Sequence, residues 1–160
     1  MPRTLAAVVL AAVSACSGNG ASDHAAAGTA ADTLRGTIAL VGPVPTSRVV
    51  LVPTMEDTQV PLTGEAAEPL ASLPGVEVVV EGKRRVGEFE VRRFAVRAVD
   101  GVPAVDGALI VEGGTYWLVG ESGERRRVAV VPEPLRAHVG RRVWIAGPLD
   151  AEPVMWGVTE

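Results

Sequence analysis

The sequence predicts a mainly β chain made of two tandem five-stranded units, each with one short helix between its third and fourth strands. Three observations carry this. First, the 25 valines between Leu34 and Glu160 fall in short runs bounded by Gly and Pro, the pattern of strands rather than helices. Second, only Glu65 to Leu73 and Glu133 to Val139 read as helical, and each leads to a glycine at the stop position, Gly75 and Gly140. Third, those glycines are 65 residues apart and their surroundings repeat: Leu70, Gly75, Val78, Val80 and Gly82 align with Leu135, Gly140, Val143, Ile145 and Gly147.

In the first unit (34–102) the strands are Leu34 to Val41, Arg48 to Val52, Gln59 to Leu62, Val76 to Glu81 and Glu88 to Val99, the helix preceding the fourth. Alternation puts Val76, Val78 and Val80 on the core face of the fourth strand. In the fifth, Phe89 and Val91 have one parity and Phe94 and Val96 the other. Keeping all four inside requires an extra residue at Arg92-Arg93, a β-bulge.

The repeat extends upstream, Gly36 and Leu51-Val52 matching Gly107 and Leu118-Val119, with slippage of four residues in the hairpin loop between them. The second unit (103–160) therefore has strands Ala108 to Val111, Thr115 to Val119, Arg125 to Val130, Arg142 to Ala146 and Val154 to Val158. Val99 to Gly107, with two Asp-Gly steps and a proline, reads as the connector between units.

Five strands with a helix between the third and fourth is the element order of the OB-fold, a small, partly open Greek-key barrel. The passage Leu135-x-x-x-x-Gly140-x-x-Val143-x-Ile145-x-Gly147 is similar to small bacterial periplasmic OB-fold modules. The resemblance covers about 50 residues of the second unit and, more loosely, about 65 of the first, and it rests on apolar spacing and glycines. It implies two tandem OB-like barrels. Units near 60 residues bury a small share of their surface, so they are expected to pack together.

The chain opens with Arg3, an apolar stretch from Leu5 to Val13 and small residues Ser14-Ala15, the pattern of a secretory leader. That stretch is far shorter than the roughly 20 residues needed to span a bilayer. Val13-Ser14-Ala15-Cys16 places the chain's only cysteine where the bacterial lipobox has its lipidated one, so the chain resembles a bacterial lipoprotein. The resemblance implies a signal peptide of residues 1–15, acylation of Cys16 (palmitate among the acyl groups) and anchoring to the membrane through this N-terminal lipid. Ser17 after the cysteine implies sorting to the outer membrane, facing the periplasm, in a host that has one. Residues 16–33 complete the N-terminal part as the lipidated cysteine and a tether. From Ser17 to Thr33 there is no Val, Leu, Ile or aromatic residue, too little apolar surface to offset the entropy of ordering.

Composition excludes several classes of function. Nineteen acids against 15 bases give a formal charge of -4, so no net field draws the chain to nucleic acid. One cysteine and two histidines exclude an intramolecular disulfide and provide too few ligands for a zinc site, and no cofactor or metal is expected. His24 beside Asp23 lies in the tether and defines no site.

No catalytic constellation is legible. His138 takes the position that Leu73 holds in the first unit, which makes it a partly buried packing residue, and no Ser, Cys or carboxylate is spaced to activate it. An enzyme would need a pocket gathering His138 with acids. Lys83, Arg84 and Arg85 fall in the turn between the fourth and fifth strands, one wall of the groove in OB-folds, with Arg92 and Arg93 following. They are the candidate site for an anionic glycan or a protein. Trp144 has the parity of Val79, turned away from the core set by Val143 and Ile145, and so marks a covered surface. Contact between the units, with Trp144 and Val79 as candidates, is the expected cover. An envelope protein at Trp117 or Trp144 is the other, in which the chain is a structural subunit of an envelope complex.

Overall fold

The computed structural model describes residues 31–55 and 58–159, so the leader, the lipobox cysteine Cys16 and nearly all of the tether lie outside the described residues. Among the described residues there are ten strands: β1 Asp32–Val41, β2 Arg48–Pro53, β3 Val60–Thr63, β4 Val76–Arg85, β5 Glu88–Val99, β6 Val102–Glu112, β7 Thr115–Val119, β8 Arg125–Val128, β9 Arg142–Ala146 and β10 Met155–Val158. A 3-10 helix, Glu65–Ser72, separates β3 from β4, and one turn of α-helix, α1 Glu133–Arg136, separates β8 from β9. Both short helices thus fall where the sequence puts them. Pro69 inside the first lacks a backbone donor and its ring crowds the carbonyl four residues back, which disfavours a regular α-helix there.

The first five strands pair in a circuit: β1 with β2, β2 with β3, β3 with β5, β5 with β4, and β4 back to β1. All these pairings are antiparallel except β3 with β5. The last five strands repeat the scheme, β6 with β7, β7 with β8, β6 with β9 and β9 with β10. A β8–β10 counterpart of the β3–β5 pairing is not formed among the described residues.

Register repeats as well as pairing. Ile38 stands opposite Leu51, and Leu109 opposite Leu118. Gly36 stands opposite Val78, and Gly107 opposite Val143. A side chain on Gly36 would begin 2.2 Å from the Val52 carbonyl oxygen, and one on Gly107 2.5 Å from that of Val119, so both repeats need glycine where β-strands cross closely. After each helix a left-handed glycine donates its N–H back to the first strand of its repeat: Gly75 to Ile38 O at 2.8 Å and Gly140 to Leu109 O at 2.7 Å.

The bulge in β5 occurs as the parity argument requires. Glu81 pairs with Arg93 and Gly82 with Val91, leaving Arg92 as the extra residue, and Phe89, Val91, Phe94 and Val96 are all buried. A second bulge, at Arg97, lets Val99 join them, because Val78 pairs with Val96 and Glu77 with Ala98.

Two expectations are corrected. Val99 to Gly107 is not a connector: β5 turns directly into β6 through Asp100-Gly101, both with positive φ, and Val99 faces Val102 across the turn. Asp-Gly between apolar strands is a tight hairpin signal, and here it joins the repeats within one hairpin. The tether also ends earlier than Thr33, because Asp32 and Thr33 pair with Gly82 and Glu81 at the start of β1.

Ala31–Glu160 gather as one compact unit with two adjoining cores. Ile38, Leu51, Leu70, Val78, Val80 and Phe89 belong to the first, and Leu109, Leu118, Leu135, Val143 and Ile145 to the second. Trp144 leaves the core of its own repeat, as its parity dictates, and packs with Ala104 and Ala146 into the core of the first. Gly157 gives the indole room, since a side chain there would start 2.6 Å from the ring. The other candidate for that contact, Val79, is half-buried and belongs to neither core.

Candidate functional site

The five candidate cations do not form one basic groove. Lys83, Arg84 and Arg85 end β4 at a hairpin whose tip is Val86-Gly87, and acids from β5 stand across from them. Lys83 faces Glu90, and Arg85 donates to the same carboxylate from Nη2 at 2.6 Å and Nε at 2.9 Å. The Arg85 hydrogen bond and charge, helped by Arg92 and Lys83, hold Glu90 below the usual carboxylate range. The Arg84 backbone N–H donates to Asp32 at 3.3 Å. The hairpin therefore carries its own counter-charges.

Arg92 projects from its bulge toward a shallow cleft beside the 3-10 helix, together with Glu65, Glu68 and Glu90. Arg93 points elsewhere, to Glu81, whose hydrogen bond raises the Arg93 pKa above its ordinary value. It forms part of a second cleft.

That second cleft, about 620 Å³, lies where β5, β6 and β9 meet the β7–β8 turn. Its floor is Arg142, whose side chain is 16% exposed, against 7% for Asp106 beside it. Arg142 Nη2 donates to Asp106 Oδ2 at 2.7 Å and to the Phe94 carbonyl oxygen, while the guanidinium lies over the Phe94 ring at 5.1 Å. Phe94 comes from the first repeat and the other two residues from the second, so the pair forms within the second repeat and is covered by the first. Opposite charge, a charge-assisted bond and a π face together offset the desolvation of the guanidinium.

The remaining face of Arg142 meets Glu121, its Nη1 lying 3.0 Å from Glu121 Oε1, with Arg93 Nη1 3.7 Å from the other oxygen. Glu121 sits in a defined turn. Gly120 N–H donates to Glu124 O at 2.9 Å, Gly123 N–H to Gly120 O at 3.0 Å, and the Ser122 hydroxyl to the Glu124 carboxylate. The Ser122 hydroxyl is the main reason the Glu124 carboxyl titrates below its ordinary range. On the rim, Arg97 and Arg126 are exposed, and neither enters an ion pair among the described residues. Sequence reasoning singled out Arg93 of this set as a ligand candidate and did not assign Arg97, Asp106, Glu121, Arg126 or Arg142 to a site; β6–β9 and β7–β8 pairing gathers the four from the second repeat, and the hairpin joining the repeats brings Arg93 and Arg97 to them. The parity change between Val96 and Val99, which exposes Arg97, was the one signal available.

The aromatic candidates are covered. Trp144 is 9% exposed in the first core, and Trp117 is half-buried under the Arg125 guanidinium at 4.9 Å from its ring centre. His138 is half-buried with its ring 6.0 Å from that of Trp156 and lies outside the cleft lining. Among the described residues no group of three His, Cys, Asp or Glu side chains is placed to hold a metal ion, and no helix is long and apolar enough to cross a membrane. Comparison of the chain with family models, curated proteins and solved structures returns no match.

Proposed function

We propose that the protein is a lipid-anchored, extracytoplasmic, non-catalytic binding module that presents an anionic-ligand site at the bacterial membrane surface. The observation that carries the binding role is the cleft over Arg142, where Arg93, Arg97 and Arg126 converge and two of the four guanidinium groups have no ion-pair partner among the described residues. Guanidinium suits such a role because its planar fork meets an oxyanion at two points. The scaffold is two OB-like halves sharing a hairpin. Support for this comes from the β1–β2–β3–β5–β4 circuit, the helix between β3 and β4, and the recurrence of pairing and register in the second half.

Anchoring rests on the lipobox Val13-Ser14-Ala15-Cys16, and localisation to the outer membrane facing the periplasm rests on Ser17. Two or three acyl chains hold a protein where one gives only marginal binding. Labelled palmitate tests the anchor: incorporation lost in Cys16→Ala supports it, and unchanged incorporation refutes it.

A structural subunit of an envelope complex is the second reading. Its support is the group of exposed apolar residues Leu40, Val41 and Val44 at the β1–β2 turn. In-cell crosslinking with mass spectrometry separates the two: a stoichiometric envelope partner mapping to that turn favours the subunit, and recovery of monomer alone refutes it.

A further inference from the structure

Resting on the anionic-site reading above, we infer that Glu121 is a built-in stand-in for a ligand carboxylate, and that an acidic peptide segment takes its place on Arg142 and Arg93. Arg142 cannot follow a ligand, because Asp106, the Phe94 carbonyl and the Phe94 ring hold it from three sides. With Nη2 bonded to Asp106 and the Phe94 carbonyl and Nε buried, Nη1 is the atom that can meet a ligand, and Glu121 already lies 3.0 Å from it. The occupant is replaceable: Glu121 is 45% exposed, it reaches Arg93 only at 3.7 Å, and its turn has glycines on both sides, Gly120 and Gly123. Beyond it on the rim, Arg97 and Arg126 lie within ion-pair distance of no carboxylate among the described residues, the Arg126 charge acting on Glu124 only from farther off. One incoming carboxylate therefore displaces Glu121, and a second on the same ligand meets the rim.

A peptide is favoured over a glycan because no aromatic side chain lines the cleft. Sugar rings are commonly held by stacking on such side chains, whereas carboxylates of an extended chain need only the guanidinium forks. While Glu121 fills the site, the competent fraction of molecules is reduced and apparent affinity falls with it.

The test is calorimetric titration of hexaglutamate, and separately of hexagalacturonate, into the full chain, its Glu121→Gln variant and an Arg97→Gln/Arg126→Gln variant. Glu121→Gln is expected to bind hexaglutamate about fivefold more tightly than the parent chain. The rim double variant, altered only at exposed positions, is expected to bind about tenfold more weakly with its thermal midpoint unchanged. Equal or weaker binding by Glu121→Gln, with the rim variant still impaired, overturns the stand-in role and leaves the anionic site standing. Stronger binding of hexagalacturonate than of hexaglutamate overturns the peptide assignment. Failure of all three chains to bind either probe overturns the anionic-site reading and the inference together.

Discussion

Asp106 and Arg142 stand in the second repeat where Arg35 and Glu77 stand in the first, so the same ion pair between the first and fourth strands is built twice with its charges exchanged. The registers coincide, since Gly36 opposite Val78 and Gly107 opposite Val143 place each pair at matching positions. The surroundings differ: Arg35–Glu77 is open to solvent at 62% and 27% exposure, whereas Arg142–Asp106 is roofed by β5 at 16% and 7%.

The two pairs therefore differ in energetic weight. Asp106→Ala is expected to cost about 3–5 kcal/mol, because it leaves a buried guanidinium short of its main counter-charge. Glu77→Ala is expected to cost at most about 1 kcal/mol, the range of exposed ion pairs. Urea unfolding of both variants, compared at constant m-value, checks the contrast; equal losses would show that burial does not separate them.

The matched glycines permit a similar comparison. Gly107→Ala puts a methyl group 2.5 Å from the Val119 carbonyl oxygen, and the backbone has to move to admit it. Gly140→Ala meets nothing within 4 Å and bears only the left-handed backbone conformation, about 1–2 kcal/mol. Thermal unfolding is expected to show the larger loss for Gly107→Ala, and the same order for Gly36→Ala against Gly75→Ala.

These repeats were legible because close strand crossings and helix stops leave glycine and Val/Ile spacing as their only solutions. Parity alone likewise located the bulge at Arg92, since four apolar residues had to share one face. The cleft was illegible for a related reason. Its floor pair keeps position but not charge between copies, so alignment by residue type passes over Arg35 with Asp106 and Glu77 with Arg142. Its rim depends on β5 turning into β6 at Asp100-Gly101, and a pair of Asp-Gly steps reads equally well as a linker.

Trp144 makes the junction itself testable. Trp144→Ala removes a side chain of the second repeat from the core of the first and is expected to cost about 3–5 kcal/mol. Hydrogen exchange is expected to quicken at Val78 and Val96, in the first repeat, as well as at Ile145. Loosening confined to β9 and β10 would show that the repeats are energetically separate.

At the β4–β5 hairpin the pH dependence has a definite sign. Glu90 titrates below the usual carboxylate range because Arg85 hydrogen-bonds its charged form. A carboxyl group lowered in the folded state contributes stability above its unfolded pKa and loses it as pH falls through the folded value. Exchange protection of the hairpin is expected to decline at acid pH in the parent chain and to lose that dependence in Glu90→Gln. An unchanged acid decline in the variant would assign the effect to other carboxylates.

The most direct measurement of the central claim is a proton–nitrogen NMR titration of the full chain with hexaglutamate, following backbone amides and arginine Nε–H signals. The account predicts saturable shifts centred on Arg93, Arg97, Glu121, Arg126 and Arg142, with the Lys83 to Arg85 hairpin unchanged. Shifts centred on that hairpin, or no saturable shifts at all, would contradict it.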